Sequence, residues 1–207
     1  ADDLKQIANA SQYDRFILMG DIDLAGFSGG LTVGSNRVTL DGNGYTLKNY
    51  DSDKALFSSV NDYFGIENLI IDDFHVFNDG ASAALLINSQ NYTGVYLEDI
   101  YVTNSNVEGY SDVGALIANS SSTPASTTIR NVIVDNVTVQ STGGIAGGFI
   151  GYSSAGDINI MNSTFAGFVA GLDSAGGFIG HSSGDSVIIQ NSASSGGIIG
   201  VEGGSGA

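Results

Sequence analysis

The residues best suited to chemistry in this sequence are aspartates that come in pairs: Asp21 and Asp23, Asp51 and Asp53, Asp72 and Asp73. Two carboxylates on one face are what cleavage of a glycosidic bond needs, one as acid and the other as base or nucleophile. Each pair, however, falls at a turn or a strand end, where Asp serves the backbone as readily as it serves a substrate. Beyond residue 54 the only cation is Arg130, so an acidic sugar would find almost nothing to neutralise it. The two histidines, His75 and His181, are far apart, and no His-Glu-X-X-His phrase is present, which excludes that zinc-protease pattern. His75 sits in the alternating stretch Phe74-His75-Val76-Phe77, which points it to solvent. Calcium suits Asp and Asn oxygens at turns, yet the nine-residue Gly-Gly-X-Gly-X-Asp calcium repeat is absent. The expected catalytic set is empty and no cofactor is required. A structural calcium at the Asp turns is the one metal compatible with the pattern.

The elements that carry these residues repeat. Gly147-Gly148-Phe149-Ile150-Gly151 returns as Gly176-Gly177-Phe178-Ile179-Gly180, and weaker copies begin at Gly114, Ala83 and Lys54. The large residues Leu56, Leu85, Leu116, Phe149 and Phe178 mark the repeat and are expected to stack as one internal column. A second ladder runs in step: Asn68, Asp99, Asn131, Asn162 and Asn191, each following an Ile-X or Leu-X pair. A repeat in the range of about 20–50 residues marks a solenoid, in which each unit buries its apolar face against its neighbours. An amide at the same corner of every coil can bond the coils above and below. His181 falls where Tyr152 stands one repeat earlier, which makes it a wall residue.

The predicted fold is all-β: a single-stranded parallel β-helix with a short N-terminal capping helix. Parallel crossovers are nearly always right-handed, so that hand is expected. Residues 1–54 form the cap and first coil, and residues 55–207 form the repeats of one continuous domain. Asp2 to Asn9 read as the helix, with Leu4, Ile7 and Ala8 on one face. Strands are expected at Phe16–Met19, Asp21–Leu24, Val38–Leu40 and Tyr45–Leu47, the last two flanking the turn Asp41-Gly42-Asn43-Gly44. Pro124 marks a loop bulging from one coil. One more period after Gly176-Gly177 lands on Ser205-Gly206, so the last coil is expected to be covered by further repeats or by a neighbouring protomer.

Composition narrows the partners. The net charge is −16, and Lys5, Arg15, Arg37, Lys48 and Lys54 precede the only other cation, Arg130. Nucleic acid and anionic membranes both need clustered Lys and Arg, so both are disfavoured. No apolar run is long enough to insert in a membrane as a helix. The absence of cysteine excludes a disulfide scaffold, and Ala1 is compatible with the start of an exported mature chain. Sequons begin at Asn9, Asn91, Asn119, Asn136 and Asn162 and matter only in a glycosylating host.

Gly147 to Gly151, Ile160 to Ser163, Gly176 to Gly180 and Ile189 to Ser192 resemble the GLUG-motif repeats of bacterial surface proteins. The opening resembles that family's lead-in, from Asp3-Leu4 through Asp21-Ile22-Asp23-Leu24 to Leu40-Asp41-Gly42-Asn43-Gly44. In the coils between 55 and 120, Ala replaces the glycines. GLUG repeats occur in adhesin-like proteins and beside the peptidase domains of some bacterial IgA proteases. The resemblance implies an extracellular, cell-surface module without catalytic residues of its own. The expected function is therefore a stalk, adhesin or filament subunit. Its partners would be a surface protein, a glycan, or protomers joined end to end. A carbohydrate-active β-helix enzyme and a phage tail-fibre or receptor-binding module are the alternatives.

Overall fold

The computed structural model describes residues 2–11, 13–34, 37–91, 94–121, 126–154 and 156–200. Pro124 and the Ser205-Gly206 continuation lie outside the described residues. The chain is a parallel β-solenoid of about five turns with one short helix. Among the described residues its strands fall into sheets of twelve, six and four, and every pairing is parallel. Each full coil runs through the same stations. Phe64–Asn78 forms a long bent strand, Ala83–Ala84 a two-residue step and Ile87–Gln90 a return wall. The next coil repeats them as Val95–Gly109, Val113–Gly114 and Ile117–Ser120. The large sheet runs unbroken across residue 54, with Leu47 aligned to Ile71 and Tyr50 to Phe74. Cap and repeats thus share one body.

The long strands turn without breaking because of single left-handed residues. Asn68 (φ 53), Asp99 (φ 52), Asn131 (φ 54), Asn162 (φ 50) and Asn191 (φ 50) hold one corner. Asn and Asp adopt this conformation more readily than other side chains with a Cβ. Each such residue adds an extra outward position, so the alternation resumes out of phase. Ile66 is buried, Glu67 and Asn68 face out, and Leu69 is buried again. A second shift follows at Asp73 (φ 58), between buried Ile71 and Phe74.

The core is a continuous file of side chains. Phe57 packs on Phe64 (4.8 Å), Tyr50 on Phe74 (4.9 Å), and Phe149 on Phe178 (5.0 Å). Burial pushes the Tyr50 phenol up to about 12, and its Oη donates to the Lys54 carbonyl at 2.6 Å. The expected column is present with one correction. Phe57, Ile87, Ile117, Ile150 and Ile179 share a register. The residues before them are Leu56, Leu86, Leu116, Phe149 and Phe178. Leu85 sits one residue earlier, beside Ala115, Gly148 and Gly177 in the step that follows the register Ala84–Gly114–Gly147–Gly176. At this corner the chain leaves the two-residue period of a strand, so both Leu85 and Leu86 point inward and both are fully buried. Phe178 is half-buried, at the edge of the described core.

The N-terminal helix is a 3-10 helix over Asp2–Asn9. In that geometry side chains three apart align, and Leu4 and Ile7 are buried accordingly. They pack toward Leu18 and Leu40, so the helix lies over the start of the solenoid. Of the first strands, Arg15–Ile17 and Ile22–Asp23 are shorter than expected, whereas Val38–Asp41 and Thr46–Ser52 run further.

Candidate functional site

The corner residues are joined by side-chain hydrogen bonds. Asn131 Nδ2 donates to Asp99 Oδ1 (2.9 Å), Asn162 Nδ2 to Asn131 Oδ1 (3.2 Å) and Asn191 Nδ2 to Asn162 Oδ1 (3.3 Å). The ladder is not one line. Asn68 and Asp99 are aligned, since their neighbours Glu67–Glu98 and Leu69–Ile100 pair. Yet no side-chain hydrogen bond joins them. Asn68 Nδ2 donates instead to Asp41 Oδ1 (3.1 Å). Asp99, unlike an asparagine, has no side-chain N–H to offer Asn68 in return. Ser163, next to Asn162, also ties coils together: its Oγ accepts from the Val132 amide (3.1 Å), and its own amide donates to Ser192 Oγ (3.1 Å).

A second corner was not anticipated from sequence. It consists of Asn49, Asp73, Asn104 and Asn136, all at positive φ. Asn49 Nδ2 donates to Asp23 Oδ2 (2.9 Å), Asn104 Nδ2 to Asp72 Oδ1 (2.8 Å) and Asn136 Nδ2 to Asn104 Oδ1 (2.8 Å). The signal was a constant offset. Asp73, Asn104 and Asn136 each follow a first-corner residue by the same distance in sequence.

Of the paired aspartates, Asp21, Asp23 and Asp72 are parts of this bracing. Asp21 Oδ1 accepts from the Thr46 amide (2.9 Å). Asp23 accepts from the Ala25 amide and from Asn49, in that order of strength, and these bonds lower its pKa. Asp72 holds Asn104, and Asp73 pairs with His75 Nε2 at 3.0 Å. Asp51 stands opposite His75 in the register, and both Asp51 and Asp53 are exposed. His75 is exposed as expected. His181 stacks on Tyr152, ring to ring at 5.5 Å and nearly parallel. Among the described residues no group of three or more His, Asp or Glu could hold a metal ion.

Two ion-pair clusters lie on the outer wall before the first corner. Arg15 bridges Asp41 (2.8 Å) and Glu67 (2.6 Å). Arg130 engages Glu98 and the Tyr96 hydroxyl, the latter at 2.7 Å, and Tyr96 also donates to Glu98. Burial, reinforced by Glu98, pushes the Tyr96 phenol up to about 12. At Asp41 burial alone would raise the pKa, but bonds from Arg15, the Asn43 amide and Asn68 outweigh it and lower it. A carboxylate lowered in the folded state stabilises the fold above its unfolded value of about 3.9. That contribution is lost as pH falls through the lower, folded value. Thermal melts from about pH 7 to about pH 2 should therefore show Tm falling on the acid side. Asp41→Asn should flatten that limb, and an unchanged acid slope in the variant would refute the assignment.

One open groove follows the first corner. It encloses about 620 Å³, with Asn68, Asp99 and Asn131 on one side and Ile70, Tyr101 and Ile133 on the other. The second trio forms a register column, Ile70–Tyr101–Ile133. Tyr101 is 37% and Ile133 46% exposed, so the floor of the groove is an apolar stripe edged by two amides and the Asp99 carboxylate.

No protein-family model matches the chain. No curated protein matches it either. A solved structure from Bacteroides ovatus, described as a "putative immunoglobulin A1 protease", matches with a TM-score of 0.62 at 15% identity. The match covers 96% of this chain and 80% of that one. The chain shares that structure's fold. At such low identity the likeness extends to nothing beyond the fold.

Proposed function

We propose that this chain is a non-enzymatic, extracellular β-solenoid module of the GLUG-repeat kind. It serves as a surface stalk, adhesin or filament subunit that presents its corners and turns to a partner. The observation that carries this reading is the use made of the carboxylates. The aspartates spaced for acid–base work, Asp23 and Asp72 above all, hold the corners of successive coils together. Stacked coils of this kind make a stiff rod with long, regular walls. The extracellular setting is what the resemblance of Gly147 to Gly151 and Gly176 to Gly180 to GLUG repeats implies.

The test is turnover. Incubated with a panel of polysaccharides and with immunoglobulin A, the protein should release no new reducing ends and cut no heavy chain. It should be retained on a surface ligand with or without chelator. Reducing ends or heavy-chain fragments that vanish in Asp23→Asn or Asp72→Asn would overturn the reading in favour of a hydrolase.

A further inference from the structure

We propose that the groove beside Tyr101 binds a neutral glycan, laid along the solenoid axis across successive coils. This rests on the reading of the chain as a binding module and names its ligand class and site.

Three features of the groove point the same way. The first is the floor. Ile70, Tyr101 and Ile133 present a continuous apolar strip with an aromatic ring at its centre. Tyr101 is 37% exposed, and an aromatic ring open to water offers apolar surface on which the C–H face of a sugar packs. The second is the interrupted ladder. Elsewhere along this corner one amide satisfies the next, but between Asn68 and Asp99 no bond forms. Asn68 Nδ2 is engaged with Asp41, and Asp99 Oδ1 with Asn131. What remains at this step is acceptor capacity: the Asn68 carbonyl oxygen and the second Asp99 oxygen. The matching ligand is a donor, and sugar hydroxyls are donors that also tolerate neighbouring acceptors. Tyr101 stands two positions beyond Asp99 on the same strand, so ring and acceptors share one rung.

The third feature is charge. Among the described residues Asp99 is the only carboxylate lining the groove, and no Lys, Arg or His lines it. With a net charge of −16 on the chain, an anionic polymer is repelled. Among the described residues no group of three or more His, Asp or Glu could hold a metal ion such as calcium here. An extended peptide has no purchase by strand addition. The wall's backbone groups are already paired to the coils above and below, at Ile70, Tyr101 and Ile133 among others. Parallel strands advance about 4.8 Å per coil, close to the length of one pyranose unit. A chain of sugars running along the axis therefore meets a new rung with each unit.

The experiment titrates the intact chain with cello-, manno- and chito-oligosaccharides and, as the anionic arm, with oligogalacturonate, followed by NMR. At least one neutral oligosaccharide should bind, and oligogalacturonate more weakly or not at all. Tyr101→Ala should weaken binding about tenfold, the scale of one lost aromatic contact. Tyr101→Phe should retain it within about twofold. Asp99→Asn, which lets an amide donate to Asn68 and closes the step, should also weaken it. Tyr101 is partly exposed, so the variants should melt close to the parent, and the melts confirm folding. Binding unaffected by Tyr101→Ala, no neutral ligand at all, or tighter binding of oligogalacturonate would each overturn the proposal. The same tubes separate it from the functional reading on which it rests. Tyr101-dependent binding with shortened products would sink the non-enzymatic reading and leave the groove standing. Tyr101-independent binding without products would do the reverse.

Discussion

Phe149→Ala should cost about 3–5 kcal/mol, the range for truncating a fully buried aromatic side chain. Phe149 is completely buried and meets two rings edge-on, Phe178 at 5.0 Å and Phe165 at 6.4 Å. Removing it empties the centre of a coil whose neighbours cannot close in, because the strands on either side are held in register by the backbone. The measurement is the urea midpoint, read with the m-value so that a change in cooperativity is not mistaken for a change in stability. Phe178→Ala is the internal comparison. Phe178 is only half-buried and should lose much less. Equal losses at the two positions would contradict the packing described above.

The second large effect is expected at a glycine. In the step of the coil, Gly114, Gly147 and Gly176 share a register. A Cβ on Gly147 would run into the Ile150 carbonyl oxygen of its own coil and the Gly180 amide of the next. Gly147→Val should therefore destabilise by at least about 3 kcal/mol, the upper end of ordinary overpacking. Ala84 occupies the same column one coil before Gly114. The difference lies in the hydrogen bonds. In the Gly114 and Gly147 coils two successive amides converge on one carbonyl: Leu116 and Ile117 on Phe149, Phe149 and Ile150 on Phe178. In the Ala84 coil Leu85 and Ile87 reach separate carbonyls, Ala115 and Leu116. That corner holds the methyl group of Ala84, fully buried. Ala84→Gly should cost no more than about 1 kcal/mol, chiefly in chain entropy. Thermal melts of both variants test the contrast, and a well-folded Gly147→Val would refute it.

The solenoid was legible because two chemically different markers, one apolar and one amide, recur with nearly the same period. Burial enforces the first and left-handed backbone the second. Where a marker is ambiguous, the sequence could not choose. Leu85 and Leu86 are adjacent and both buried, and only the register shows which one continues the column. The second corner was hidden because it does not run the whole length: Gly167 pairs with Val137, past Asn136, and is not left-handed, while Gly196 in the following coil is (φ 113). A corner that drops out of one coil leaves no steady side-chain period to read. The roles of the aspartates were legible only in outline. That they sit at turns followed from residue type. That Asp23 and Asp72 each hold an asparagine from the next coil depends on stacking between residues far apart in sequence.

The corner ladders have a direction. Each run begins, on its N-terminal side, at an aspartate: Asp23, Asp41, Asp72 or Asp99. A carboxylate can only accept, so the first asparagine must turn its nitrogen toward it and its oxygen away. That oxygen dictates the orientation of the next amide, and so on along the row through Asn131, Asn162 and Asn191. Every amide dipole in a run therefore points the same way, much as peptide dipoles do in a helix, with the carboxylate at the positive end. Asparagine extends such a row and aspartate starts a new one. The two residues, near-synonyms in a turn, act here as different punctuation. Spontaneous deamidation of Asn131 would be more than the gain of one charge: it would cut the row there, turn an acceptor toward Asp99, and leave two carboxylates facing each other across a single rung.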